Sequence, residues 1–126
     1  MRYVFDHDLS APRGARRAVD DLLTDPDDVI AEDVRLTASE LVTNTVLHTD
    51  SGGELRMWDP QPDVPLRLEV EDRDPTLPAI PVVEPETGGR GLIIVDAAAE
   101  EWGVEQLPEG KIVWAEFDRS RRADGH

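Results

Sequence analysis

A short strand and a helix open the chain. Residues 2–6 are predicted to form the strand. Pro12 then falls in the first turn of a helical pattern whose apolar positions recur as far as Leu23, and a proline is well tolerated at that place in a helix. Asp25 and Pro26 are expected to end this helix.

The second helical pattern is longer than the first. Apolar residues recur with helical spacing from Asp27 or Asp28 to about His48. Turn-forming residues follow at 50–53. This segment is therefore predicted to be one long helix.

From Glu54 the spacing of apolar residues changes to two. Leu55 and Met57 alternate with polar residues. The same alternation returns in residues 66–70, after a proline-rich turn at residues 59–65. The pattern predicts two strands of a hairpin with one solvated face.

A long proline-rich stretch divides the rest of the chain. Four prolines within residues 75–85 exclude a helix interior or a central strand, so residues 73–89 are predicted to form a loop. A loop of that length in a compact domain is usually functional. The elements predicted after it are, in order, a helix at residues 92–99, a strand at 102–106, a tight turn at 107–110 and a strand at 111–117.

Helices and consecutive strands are segregated in this order of elements. Such an order is typical of an α+β fold, a two-layer sandwich of helices on a mostly antiparallel sheet. The chain has 126 residues, which is enough for one core. We expect a single domain over residues 1–118 and a flexible polar tail over residues 119–126.

Charge narrows the range of partners. The 28 acidic and 13 basic residues give a formal net charge of −15, which would repel nucleic acid and anionic membrane surfaces. An anionic small molecule would need a divalent cation and backbone amides to offset that charge. The amino terminus has no apolar signal core and no segment is apolar enough to span a membrane, so a cytoplasmic protein is expected.

Three polar side chains are spaced four residues apart on the long helix. At about 100° per residue, Glu40, Asn44 and His48 share one side of it. The residues that flank this polar stripe are apolar: Leu36 and Leu47 on one edge, Val34 and Leu41 on the other. Burying a carboxylate and an amide without partners costs several kcal/mol, so a stripe inside the apolar face predicts a ligand, an ion or a hydrogen-bond network.

Two further features follow the stripe in the chain. Asp72 stands at the end of a predicted strand, and a glycine-rich turn at residues 88–91 leads into a helix. In this order and spacing, the three features resemble the ATP-binding fold of histidine kinases, DNA gyrase and MutL, known as the GHKL or Bergerat fold. Within that superfamily the sequence most closely resembles the small stand-alone domains of the anti-sigma-factor serine/threonine kinase family.

The resemblance implies a role for each residue of the stripe. Asn44 would give a carboxamide oxygen to Mg²⁺ bound by the triphosphate, and Glu40 would act as the catalytic base that orients or deprotonates the attacking hydroxyl. His48 would line the nucleotide end of the groove. For His48, a structural histidine at the end of a helix is an equal alternative.

The remaining nucleotide contacts are implied at the other two features. Asp72 would accept a hydrogen bond from the adenine amino group, although the sequence after it lacks both glycines of the family pattern Asp-x-Gly-x-Gly. Lys111 follows Gly110 where the family has a small hydroxyl residue, and it could face either phosphate or solvent. The residues expected to contact the phosphates are Gly89, Arg90, Gly91 and Leu92.

Two functions remain open. The first is an ATP-binding regulatory kinase that transfers the γ-phosphoryl group of Mg-ATP to a small antagonist protein and thereby controls a sigma factor. The second is a nucleotide-binding module that sequesters a partner without catalysis, which the glycine-free segment after Asp72 favours and the presence of Glu40 disfavours. The resemblance also makes a homodimer plausible.

Overall fold

The computed structural model describes residues 1–60, 63–74 and 90–120, with the backbone alone described for Arg90 and Gly91. Within these ranges three helices cover one face of a five-stranded antiparallel sheet, which confirms the predicted α+β fold. The elements are β1 (Arg2–Phe5), α1 (Ala11–Leu22), α2 (Ala31–His48), β2 (Gly53–Trp58), β3 (Leu66–Asp72), α3 (Arg90–Ala98), β4 (Glu101–Leu107) and β5 (Gly110–Phe117).

The strands lie in the order β1, β2, β3, β5, β4. β3 occupies the centre, where Leu68 stands opposite Ala115 and Asp72 stands opposite Lys111. Alternate residues of β3 are buried, because every second side chain of a strand points to the same face and this face lies under the helices. The helix-facing residues of β3 are Leu66, Leu68, Val70 and Asp72.

The helices close the core over that face. Val19 of α1, Val42 of α2 and Val95 of α3 are fully buried. Burial of each such side chain contributes about 1.5–3 kcal/mol relative to exposure. In the described part of the chain, none of the helices has the length and apolar composition that crossing a bilayer requires.

The other face of the sheet is polar, as the alternation predicts. Arg56 forms an ion pair with Glu69 at 3.2 Å, and Arg67 pairs with Glu69 at 2.8 Å and with Glu116 at 3.0 Å. The guanidinium of Arg67 also lies 4.6 Å from the ring centroid of Trp114. These side chains are half-buried against one another rather than under a second layer.

The start of α2 differs from the prediction. The helix begins at Ala31 rather than at residue 27 or 28. The carboxylate of Asp25 accepts a hydrogen bond from the backbone N–H of Asp27 at 2.9 Å, and that of Asp28 accepts one from Ile30 at 3.3 Å. Aspartate side chains that capture nearby N–H groups compete with helix formation, so the helix starts after them.

Arg119 holds three distant parts of the chain together just after β5. Its guanidinium donates to both carboxylate oxygens of Asp28 and of Asp59, over 2.8–2.9 Å. Asp28 precedes α2 and Asp59 follows β2. Arg119 was the first residue of the predicted tail, most of which, residues 121–126, lies outside the described residues.

Candidate functional site

Helix α2 is packed on two flanks as well as on the sheet below it. On one flank, Arg16 of α1 donates to the hydroxyl of Ser39 at 2.9 Å. Glu40 and Asn44 point away from Ser39. At about 100° per residue, Asn44 lies on the other flank of α2 and Glu40 lies nearer to its outward surface. Helix α3 packs against α2 as well.

The polar stripe lies at the border of the core and not inside it. Glu40 and Asn44 are half-buried and His48 is exposed. Leu36 and Leu47, predicted to bracket the stripe on a buried edge, are 40% and 61% exposed. That part of the prediction is wrong, because the sheet and the flanking helices cover only the opposite side of α2.

The stripe nevertheless offers free polar groups. Within residues 1–60, 63–74 and 90–120, the side chains of Glu40, Asn44 and His48 make no hydrogen bond or ion pair with one another or with other described residues. A half-buried carboxylate and carboxamide one turn apart, both with open hydrogen-bonding positions, form a surface that can bind a ligand.

Asp72 lies at the end of the domain where α2 ends. It is the last residue of β3 and pairs in register with Gly53, the first residue of β2. The short connection between α2 and β2 also contacts the chain just after Asp72, because the hydroxyl of Ser51 accepts a hydrogen bond from the backbone N–H of Arg73 at 3.5 Å. The C-terminal turn of α2, with His48, and Asp72 therefore share one end of the domain.

The carboxylate of Asp72 is buried in an ion pair. Lys111 places its Nζ 3.1 Å from each of the two carboxylate oxygens. The ammonium also donates to the carbonyl of Asp74 at 2.9 Å, and the N–H of Asp74 donates to Asp72 at 2.8 Å. The side chains of Asp72 and Lys111 are only 4% and 8% exposed. Lys111 thus does not face solvent, which was one of the two alternatives considered from the sequence, and its ammonium is engaged by Asp72 and Asp74.

Gly110 makes the approach of these two strands possible. A Cβ atom at this position would lie 2.1 Å from the backbone oxygen of Asp72. Any side chain would therefore displace the end of β3. The close approach of β3 and β5 therefore requires a glycine at the start of β5.

Helix α3 is placed on the sheet by a contact just after its last turn. Just past its C-terminus, the N–H of Glu100 donates to the carbonyl of Glu116 at 2.9 Å, at the end of β5 remote from Lys111. The first turn of α3 is therefore the end of the helix that lies away from Glu116. Arg90, Gly91 and Leu92 form this turn, where backbone N–H groups have no partner within the helix.

The structure describes some of the predicted phosphate contacts and not others. The side chain of Leu92 is buried in the core, so its backbone N–H is what it could offer a phosphate. Gly89 lies outside the described residues, as does nearly all of the proline-rich loop. The side chain of Arg90 is likewise not described.

Sequence reasoning missed one polar group on this side of α2. Thr37 is fully buried, and its hydroxyl has no hydrogen-bond partner among the described residues. It lies seven residues before Asn44, which places both on nearly the same side of the helix. A threonine in an apolar helical pattern gives no signal of its own, so only its spacing from Asn44 could have indicated it.

A pocket of about 540 Å³ opens at the same end of the domain. Its lining includes Arg56 of β2, Glu71 and Asp72 of β3, and Arg73 just after β3. The pocket therefore reaches Asp72, one of the predicted nucleotide contacts. No residue of the polar stripe lines it.

Comparisons with known proteins place this geometry in context. The family model for the histidine kinase-like ATPase domain matches residues 5–117. The chain is similar to the structure of the RsbU and RsbW domains of Rv1364c from Mycobacterium tuberculosis, with 19% identity and a TM-score of 0.69, over 94% of this chain and 32% of that one. It is also similar to the histidine kinase domain of the blue-light activated histidine kinase EL346 from Erythrobacter litoralis, with 22% identity and a TM-score of 0.59, over 89% of this chain and 65% of that one.

This chain corresponds to only part of each of these two structures. The chain spans about a third of the length of the first structure and 65% of the second. At these identities the structural likeness shows the fold. No curated protein matches the sequence.

Proposed function

Because the chain belongs to the histidine kinase-like ATPase domain family, we propose that it binds Mg-ATP on α2 and transfers the γ-phosphoryl group to a serine or threonine of a small antagonist protein. By this transfer it would control the release of a sigma factor. The observation that carries the proposal is the pair Glu40 and Asn44, half-buried on one helix edge with no partner among the described residues. The antagonist and the sigma factor are proposed from the family resemblance of the motif that runs from Glu40 to His48.

Asn44 is the proposed Mg²⁺ ligand. Its carboxamide oxygen is the hard donor that Mg²⁺ prefers, and Mg²⁺ usually takes only one or two protein ligands beside phosphate oxygens and water. The chemistry of Asn44 therefore fits the ion. When bound, the ion would offset negative charge on the triphosphate, which matters in a chain of net charge −15.

Glu40 is the proposed catalytic base. It stands one turn before Asn44, so its carboxylate would lie near the phosphoryl group held by the ion and could accept the proton of the attacking hydroxyl. His48 would line the nucleotide groove one turn after Asn44. Asp72 would contact the base at the end of the domain where α2 ends.

The turn into α3 is the proposed phosphate contact. Backbone N–H groups at a helix N-terminus bind anions because they lack partners and carry a partial positive charge. The residues assigned to it are Gly89, Arg90, Gly91 and Leu92.

Phosphoryl transfer can be tested with [γ-³²P]ATP and candidate antagonist proteins. Label is expected on a partner serine or threonine with the wild type, and E40Q is expected to lose it by at least about a hundredfold while still binding Mg-ATP. E32Q is the matched control, because it removes an exposed acid from the first turn of the same helix and should label normally. Equal labelling by E40Q and the wild type would contradict the assignment of the base.

A non-catalytic nucleotide-binding module is the second candidate. The segment after Asp72 favours it, because that segment lacks both glycines of the family pattern. In that case Mg-ATP would bind with no transfer to any partner, and E40Q would bind a partner as the wild type does. Failure of the wild type to bind Mg-ATP in calorimetry would exclude both candidates.

A further inference from the structure

We propose that Lys111 determines the base specificity of this site: it withdraws the carboxylate of Asp72 from adenine selection, so that 6-oxo purine nucleoside triphosphates bind about as well as ATP. The inference rests on the proposed nucleotide-binding function and refines the class of ligand. It is carried by the buried pair of Asp72 and Lys111, whose cross-strand register places the two side chains on the same helix-facing side of the sheet.

The lysine is held by the end of β3. Lys111 donates hydrogen bonds to Oδ1 of Asp72 at 3.1 Å and to the carbonyl of Asp74 at 2.9 Å. Its Nζ also lies 3.1 Å from the second carboxylate oxygen of Asp72. The positive charge therefore acts on the nucleotide through Asp72.

The carboxylate of Asp72 is engaged from both sides. One oxygen accepts hydrogen bonds from the N–H of Asp74 and from the ammonium of Lys111, and the other oxygen lies 3.1 Å from the same ammonium. Two of the roughly four acceptor positions of the carboxylate are thus hydrogen-bonded to described residues. Its negative charge is balanced at contact distance.

This arrangement changes what the site can distinguish. A free carboxylate selects adenine because it accepts a charge-assisted hydrogen bond from the 6-amino group and repels the oxygen of a 6-oxo purine. When the carboxylate is neutralised by Lys111, both the attraction and the repulsion weaken. Discrimination between a 6-amino and a 6-oxo purine should weaken with them.

ATP and inosine triphosphate are suitable probes, because their bases differ only in the group at position 6 and in the ring proton that accompanies the 6-oxo group. In calorimetry with Mg²⁺, the wild type should bind the two within about threefold of each other. K111T removes the ammonium and leaves a hydroxyl beside Asp72, so it should prefer ATP by at least about tenfold, the range expected for one hydrogen bond to a charged group. D72N/K111T removes the carboxylate too and should lose that preference, while K111R keeps the charge and should behave as the wild type.

Each outcome of this experiment bears on the inference. A wild type that prefers ATP by tenfold or more overturns it without reference to any variant, so the test holds even if circular dichroism shows K111T to be unfolded. An unchanged ratio in folded K111T also overturns it. If neither nucleotide binds the wild type, the proposed function fails and this inference fails with it; binding of both with a strong preference for ATP refutes the inference alone.

Discussion

Arg119 provides the most direct test of how this domain is held together. The change R119M keeps an unbranched side chain of similar length but removes the guanidinium. Four hydrogen bonds of 2.8–2.9 Å to Asp28 and Asp59 would be lost. Two carboxylates would then face each other without a cation between them.

The expected cost follows from how far these groups are buried. The side chain of Arg119 is 20% exposed, and those of Asp28 and Asp59 are 9% and 18% exposed. Exposed ion pairs contribute about 0–1 kcal/mol, whereas removal of one partner of a buried pair costs about 3–5 kcal/mol. Groups this little exposed belong near the lower end of the buried range, so R119M should lower the free energy of unfolding by about 3 kcal/mol at pH 7.

The pH dependence gives a second, independent check. The hydrogen bonds from Arg119 are the main cause that lowers the pKa of Asp28 below its ordinary value of 3.8. A carboxyl group with a lowered pKa in the folded state stabilises the fold fully above its ordinary pKa, and this stabilisation is lost as the pH falls through the folded pKa. The stability difference between the wild type and R119M should therefore be constant above about pH 5 and shrink below about pH 4.

Urea denaturation followed by tryptophan fluorescence measures this difference. R13M, which removes an exposed arginine of α1, is the control and should change stability by less than about 0.5 kcal/mol. A cost below about 1 kcal/mol for R119M would show that the four bonds behave as a surface pair. A difference that does not shrink in acid would show that the paired carboxylates do not cause it.

Three further predictions concern the candidate site and its surroundings. T37V should leave the free energy of unfolding unchanged or raise it by about 1 kcal/mol, because it removes a buried hydroxyl without a described partner. T45V is the control on the same helix. It should lower the free energy of unfolding by about 1 kcal/mol, because the hydroxyl of Thr45 donates to a backbone carbonyl at 3.3 Å. Thermal denaturation distinguishes the two, and an equal loss in both would contradict the reasoning. G110A should lower the free energy of unfolding in urea by about 1–3 kcal/mol, because its Cβ would collide with the carbonyl of Asp72. A G110A variant as stable as the wild type would show that β3 can move aside. Removal of Mg²⁺ with EDTA should weaken ATP binding in calorimetry by about tenfold or more in the wild type and much less in N44A; an equal loss in both would argue against Asn44 as the ligand.

Local patterns in the sequence predicted most of the fold. The change from helical to alternating spacing located α2, β2 and β3, and it implied the segregated layers. The error at the start of α2 came from Asp25 and Asp28, whose side chains bind nearby N–H groups before the helix begins. A periodicity of apolar residues does not report that competition.

Some features of the candidate site follow from the local sequence, and others depend on how the helices pack. That Glu40, Asn44 and His48 share one edge of a helix follows from their spacing alone, because the geometry of a helix is local. Their exposure did not follow, since it depends on where the neighbouring helices pack. Leu36 and Leu47 are exposed for this reason, although their apolar character indicated burial.

By itself, the sequence determined the order of elements, the layered fold class and the common edge of the three polar residues, because each depends on residues close together in the chain. Only the tertiary structure decided which charges meet. Lys111 pairs with Asp72 across 39 positions, and Arg119 reaches Asp28 across 91. No local spacing encodes such a contact: the strand register and the packing of the helices bring these groups together, and burial then makes pairing the least costly state for both charges.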